Sequence, residues 1–185
     1  MGVKESIICY FCMSRKHKSS ETNNLLLCFG RKESEVKQSP KKEMTAYMKA
    51  FKSILDEANM TYESGKLKGS DYILLGYDFS DGPSFDILVS FIQSEYTVAI
   101  YVNDFIVASS LDDHSSLMWY INEVNDHEQF VKFIFDTEEK SVCAQYYLPL
   151  QVESDPALLF FLLTNHIRVC FETYPKFMEI VTGKK

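Results

Sequence analysis

The sequence lacks a cysteine framework, a long apolar run and a glycine-rich phosphate-binding loop. Five cysteines form an odd number without regular spacing, which favours reduced thiols in a cytosol over a disulfide scaffold. No apolar run reaches the roughly 18 residues of a membrane-spanning helix, and no secretory signal is recognisable at the start of the chain. We therefore expect a soluble, cytoplasmic protein without a transmembrane segment.

What the sequence does contain favours one globular domain with a sizeable core. Hydrophobic residues make up 46% and aromatic residues 14% of 185 residues, enough to exclude disorder of the whole chain. Charge is divided unevenly: residues 1–43 hold nine Lys/Arg against five Asp/Glu (+4), and residues 44–185 hold ten against twenty-one (−11), which sum to −7. An acidic body repels phosphate backbones, so nucleic acid is not an expected partner, whereas basic protein segments are.

The first 43 residues have the composition of a linker. Residues 14–43 are rich in Lys, Ser, Glu and Asn, contain one apolar island at Leu25–Phe29 and end on Pro40-Lys41-Lys42. This pattern predicts a basic, flexible N-terminal tail over residues 1–43 and a folded domain over residues 44–185.

The folded part begins with an amphipathic helix. Apolar side chains recur from Met44 at the spacing of one helical face, and Gly65 is a candidate stop. Its apolar positions after Met44 are Tyr47, Met48, Phe51, Ile54, Leu55 and Ala58.

The remaining pattern alternates groups of strands with helices. A second helix is expected with Asp112, Asp113 or Ser115 as N-cap, and a long final helix with Asp155 as N-cap and Pro156 at its first position. The expected strands are Tyr72–Phe79, Phe85–Ile92, Tyr96–Val102 (which Phe105–Ser109 continues or leaves), Phe130–Asp136 and Val142–Leu148. Because short connections join the strands, we predict an α+β fold with an antiparallel sheet of about five strands, in the order α-βββ-α-ββ-α.

Residues 115–151 resemble the central signature of YbjN-like domains. In that family a helix ends in an Asn-rich turn, followed by a strand, an acidic turn and a second strand that closes on Leu-Pro. The matching residues here are Ile121-Asn122-Glu123-Val124-Asn125, Lys132-Phe133, Asp136 and Leu148-Pro149. The segment Phe171–Val181 resembles the aromatic-Pro ending of the same family, and the resemblance covers roughly residues 44–182.

The resemblance implies the fold of type III secretion chaperones: a twisted antiparallel sheet with helices on one side, often paired as a homodimer. It implies no enzyme chemistry and no cofactor. Secretion chaperones are small acidic proteins that hold an extended segment of a client, and the acidic body of this chain matches that profile.

The N-terminal segment allows two readings besides that of an uncoordinated tail. Cys9, Cys12, His17 and Cys28 can supply four zinc ligands, although Thr22 stands where a zinc knuckle has its fourth. Met1-Gly2 with Ser6 fits a myristoylation pattern. In that reading Cys9 and Cys12 are palmitoyl candidates, and Arg15, Lys16 and Lys18 form a basic patch beside them.

No catalytic or metal-binding residue is predicted in the folded part. His166 and Cys170 lie one turn apart on the final helix, but no orienting third group accompanies them, so burial is the simpler explanation, as it is for Cys143. The paired acids are explained as helix-start residues (Asp112, Asp113) and turn residues (Glu138, Glu139). Trp119 lies beside the apolar stripe of the second helix, as a core residue or an interface anchor.

Residues 158–163 of the final helix are all apolar and therefore point to every side of it. One face can pack on the sheet, and another must meet the first helix or a second subunit. We thus expect a non-enzymatic protein- or peptide-binding domain, a chaperone-like or regulatory adaptor that forms a homodimer. It would bind through a sheet face, a sheet edge or a groove between helices, and strand addition is one such mode. The alternative is a signalling adaptor that its N-terminal segment recruits through zinc or lipid.

Overall fold

The computed structural model describes residues 40–79, 82–108, 114–151 and 154–183. These residues form three helices and six strands. The helices are α1 (Pro40–Glu57), α2 (Ser115–His127) and α3 (Pro156–Thr182). The strands are β1 (Glu63–Leu67), β2 (Ser70–Asp78), β3 (Ser84–Ile92), β4 (Thr97–Val107), β5 (Lys132–Asp136) and β6 (Ser141–Pro149).

The strands form one antiparallel sheet in the order β1-β2-β3-β4-β6-β5. The predicted α+β class and the predicted sequence of elements are confirmed, and the structure adds β1 ahead of the expected strands. Strand β4 runs through to Val107, so the stretch after Asn103-Asp104 continues the strand. The register shifts between Val102 and Ile106, and Asp104 adopts a left-handed backbone with φ 46° in this bulge.

Helix α1 buries the face that its apolar spacing predicts. Met44, Tyr47, Phe51 and Leu55 are buried, and Phe51 contacts Phe91 of β3 with ring centroids 6.4 Å apart. The helix begins at Pro40, ahead of the predicted domain start.

The predicted stop of α1 at Gly65 is wrong. The helix ends at Glu57, and Asn59 takes the left-handed conformation at φ 54°. The N–H of Met60 bonds the carbonyl of Leu55 at 3.0 Å, which closes the end in the manner of a Schellman motif. Gly65 lies instead in β1.

Strand β1 escaped prediction because its sequence, Glu63–Leu67, contains a single large apolar residue. It exists because a tight turn folds it back on β2. Lys68 and Gly69 both have positive φ, 48° and 88°, as a two-residue type I′ hairpin turn requires.

The two faces of the sheet differ in what they contact. Alternate residues of β3 and β4 join the helices in one apolar core, among them Val89, Phe91 and Ile100. Residues between them, such as Leu88 and Ala99, are buried as well but do not belong to that core cluster. All three helices therefore share the first face of the sheet.

The start of α2 differs from prediction. Ser115 is the first helical residue, and His114 occupies the N-cap position without a side-chain hydrogen bond. Asp112 and Asp113 lie outside the described residues. The buried side of the helix consists of Leu117, Ile121 and Val124.

Helix α3 begins as predicted. The carboxylate of Asp155 accepts a hydrogen bond from the N–H of Ala157 at 2.9 Å, and Pro156 occupies the first turn. The helix continues through Pro175 to Thr182, and Gly183, which has a left-handed backbone, follows as its C-cap. Its buried residues are Leu159, Leu162, Leu163, His166, Ile167, Val169, Cys170, Phe177 and Val181.

Candidate protein-binding surface

The zinc and lipidation hypotheses concern residues outside the described part of the chain. These residues are Met1, Gly2, Ser6, Cys9, Cys12, Arg15, Lys16, His17, Lys18, Thr22 and Cys28. Both hypotheses therefore stay predictions. Within residues 40–79, 82–108, 114–151 and 154–183, no three His, Cys, Asp or Glu side chains lie close enough together to hold a metal ion.

His166 and Cys170 lie on the buried side of α3 and face the core. Both are fully buried. His166 Nδ1 lies 3.3 Å from the carbonyl oxygen of Leu162, while its buried Nε2 has no hydrogen-bond partner among the described residues. Burial lowers the pKa of His166 to about 4 and raises the pKa of the Cys170 thiol. A neutral imidazole beside a neutral thiol, both out of reach of solvent, has the character of core packing.

Cys143 and the predicted turn acids also have structural positions. Cys143 is buried on β6. Glu138 and Glu139 are exposed in the turn between β5 and β6, where their N–H groups donate to the carboxylate of Asp136 at 2.8 and 3.0 Å. The carboxylate of Asp136 closes this turn, and Glu138 and Glu139 take part through their backbone N–H groups.

The edge of the sheet at β5 carries a contact that sequence reasoning missed. The side-chain amide of Asn125, in the last turn of α2, bonds both backbone groups of Phe133. Oδ1 accepts from the Phe133 N–H and Nδ2 donates to the Phe133 carbonyl, each at 2.8 Å. Lys132 Nζ donates to the carbonyls of Asn125 at 2.6 Å and Glu128 at 2.5 Å. The Asn-rich turn and the Lys-Phe pair of the sequence signature thus hold α2 against β5.

The opposite edge, β1, is short and charged. Lys66 forms an ion pair with Asp71 of β2 at 2.8 Å, and Lys52 of α1 donates to the hydroxyl of Ser64 at 2.7 Å. Charged side chains on an edge strand disfavour pairing with a further strand.

Three apolar side chains form a surface where α3 passes the start of β5. Phe161 is 53% exposed and Leu158, one turn before it, is 45% exposed. Phe161 meets the half-buried Phe130 edge to face, with centroids 6.3 Å apart. We call Leu158, Phe161 and Phe130 the aromatic patch.

Charged residues flank the aromatic patch along α3. Arg168 lies two turns beyond Phe161 and forms ion pairs with Glu172 of α3 and, at 3.6 Å, with Glu128. It also donates to the amide oxygen of Asn165 at 2.9 Å. The nearest charged side chain of α3 beyond Phe161 is thus a guanidinium that is ion-paired with two carboxylates.

The other large exposed apolar residues are dispersed. Trp119 is 66% exposed on the outer side of α2, beside Met118, so of its two predicted roles the core residue is wrong and the interface anchor stays a prediction. Phe171 is 45% exposed, but its ring stacks on Phe79 at 4.3 Å. Within the described residues, neither Trp119 nor Phe171 has a ring contact with the aromatic patch.

Comparisons of this chain with protein-family models, with curated proteins and with solved structures found no match. In the described part of the chain, no helix has both the length and the apolar character needed to cross a bilayer. The resemblance to YbjN-like domains stays a prediction.

Proposed function

We propose that this protein is a non-enzymatic protein-binding domain, a chaperone-like or regulatory adaptor, that binds a client segment on the aromatic patch. The observation that carries the proposal is the exposure of Phe161 and Leu158 on a helix whose opposite face is fully packed. Aromatic side chains that are held in place and remain accessible are typical anchors of protein interfaces. A cytoplasmic location, predicted from the cysteines, belongs to the proposal, and the homodimer stays a prediction.

The proposed partner is a basic segment with apolar anchors. Residues 44–185 carry a net charge of −11 by sequence, and this excess of carboxylates attracts basic segments. A segment that presents leucine or phenylalanine between lysines or arginines is complementary to this surface in polarity and in charge. Because this attraction comes from the net charge of the domain, added salt should weaken the complex.

The partner chemistry can be tested with two synthetic amphipathic peptides that share one pattern of Leu and Phe. One carries Lys and the other Glu at every polar position. In fluorescence anisotropy with the full chain, we expect the Lys peptide to bind and the Glu peptide not to bind.

The position of the surface is tested with F161S against the matched control W119S, which removes another exposed aromatic outside the patch. F161S should weaken binding of the Lys peptide at least about tenfold, and W119S should leave it unchanged. Equal binding of both peptides, or of both variants, would contradict the proposal. Light scattering tests whether a second copy occupies the patch. The client assignment is wrong if the wild type is a dimer of the 21.4 kDa chain and F161S is a monomer.

A further inference from the structure

Strand β5 (Lys132–Asp136) lies at the edge of the sheet and has an accessible apolar side chain. Three of its five residues are apolar, and Ile134 is 42% exposed. Unpaired backbone groups on such a strand are a template for another strand. On β5, the groups of Phe133 that do not face β6 are bonded to Asn125.

The geometry of Asn125 imitates a neighbouring strand. In an antiparallel sheet, directly opposite residues of a hydrogen-bonded pair exchange two N–H···O bonds. The Asn125 side chain supplies one acceptor and one donor to the same residue, Phe133, at 2.8 Å each. A primary amide carries a hydrogen-bond acceptor and a donor on one carbon atom, so it can replace one residue of a seventh strand.

We propose that Asn125 is a removable gate that prevents β5 from pairing with β5 of a second copy of this chain. When the amide is withdrawn, the two copies pair antiparallel about a two-fold axis at Ile134, and the two sheets join into one. The partner surface is the same strand, because a two-fold contact uses one surface twice.

The sequence of β5 is complementary to itself in this register. Lys132 stands opposite Asp136 of the second copy, so opposite charges meet at both ends of the pair once Lys132 leaves the carbonyls of α2. Phe133 faces Phe135, and since these residues are two apart on one strand, their outward backbone groups have the same orientation and bond across the axis. Ile134 faces Ile134 in the closer, non-hydrogen-bonded pair.

The gate is held by contacts of its own. Lys132 Nζ bonds the carbonyls of Asn125 and Glu128, which are among the unpaired carbonyls at the end of α2. This fixes the backbone of Asn125 beside β5 and aims the amide at Phe133. At the β1 edge, by contrast, the charged side chain of Lys66 pairs with Asp71 of the neighbouring strand.

The test compares N125A with N122A, which removes an exposed asparagine on the same helix one turn earlier. Sedimentation of the full chain should show self-association of N125A with a dissociation constant at least about tenfold lower than that of N122A. Hydrogen exchange should be faster at the Phe133 amide of dilute N125A, and slower at Phe133 and Phe135 as the concentration rises.

Two further variants identify the surface. Adding I134K to N125A sets two lysines against each other at the axis, and association should return to the level of N122A. N125D can accept from the Phe133 N–H but cannot donate to its carbonyl, so it should associate as well.

Three results would overturn the proposal. The first is that N125A and N125D associate no more strongly than N122A although the Phe133 amide proton exchanges faster, which would mean that the edge is open but does not pair. The second is association that survives I134K. The third is loss of the fold in both N125A and N125D by circular dichroism, since a gate must leave a folded domain when it is removed.

Discussion

The hydroxyl of Tyr101 on β4 donates a 2.7 Å hydrogen bond to the hydroxyl of Tyr147 on β6, and the two rings meet edge to face with centroids 5.7 Å apart. Tyr101 stands opposite Gln145 and Tyr147 opposite Ala99, so the pair is a diagonal contact on the face of the sheet away from the helices. Burial raises the pKa of Tyr101, and the hydrogen bond to Tyr147 adds to the shift.

Y147F should destabilise the fold because it removes the acceptor of the Tyr101 hydroxyl. We expect a loss of about 1 kcal/mol in the free energy of unfolding, measured by urea denaturation at neutral pH. Y146F serves as the matched control, since the hydroxyl of the neighbouring Tyr146 makes no hydrogen bond within the described residues. Equal losses for the two variants would show that the hydroxyl pair does not contribute.

The buried His166 predicts a loss of stability in mild acid. Its pKa is lowered from 6.5 to about 4 in the folded state, so the unfolded chain binds more protons between these values. Stability should therefore fall as the pH drops below 6.5, by about 3 kcal/mol once the pH passes below the folded pKa.

The His166 contribution can be isolated with H166L, which cannot be protonated. Urea denaturation between neutral pH and the folded pKa should give a flatter dependence on pH for H166L than for the wild type. H127N changes an exposed histidine at the end of α2. Its free energy of unfolding should depend on pH as steeply as that of the wild type. Parallel pH profiles of wild type and H166L would contradict the assignment.

Cys170 should resist thiol reagents in the native protein. Its side chain is fully buried and its pKa is raised by burial, so thiolate is scarce and access is blocked. Peptide mass spectrometry after maleimide treatment should find Cys170 and Cys143 unlabelled in native protein and labelled in urea. Rapid native labelling of Cys170 would restore the hypothesis of a Cys–His nucleophile.

D155A should destabilise the start of α3. It removes the acceptor of the Ala157 N–H, and loss of such a cap costs about 1 kcal/mol in the free energy of unfolding. The backbone carbonyl of Asp155, which accepts from the hydroxyl of Tyr47 at 3.3 Å, is retained. D155S keeps a capping oxygen and should lose only a small part of this stability in thermal unfolding; equal destabilisation by D155A and D155S would refute the capping role.

Local pattern predicted most of the fold because helices and strands impose different spacings on apolar residues. The period of Met44, Tyr47, Phe51 and Leu55 and the cap at Asp155 both appear in the structure. The errors fall where local chemistry is ambiguous. The turn at Asn59 ended α1 before Gly65, since asparagine also tolerates a left-handed backbone.

The binding surface and the gate were less accessible to sequence reasoning. Six consecutive apolar residues signalled that α3 has more than one apolar side, but which side stays exposed depends on where α1 and the sheet lie. Asn125 stood within the segment that resembles a YbjN-like signature, yet its role depends on Phe133, the residue that the following turn brings beside it.

The sequence by itself determined the class of the fold, the antiparallel character of the sheet and the burial of His166 and Cys170, because these follow from the spacing and polarity of neighbouring residues. Only the tertiary structure decided that β1 forms, that Trp119 and Phe161 face outward and that Asn125 closes the β5 edge. Each of these depends on contacts between different elements of the fold, and the free energy of such contacts is not encoded in any single element.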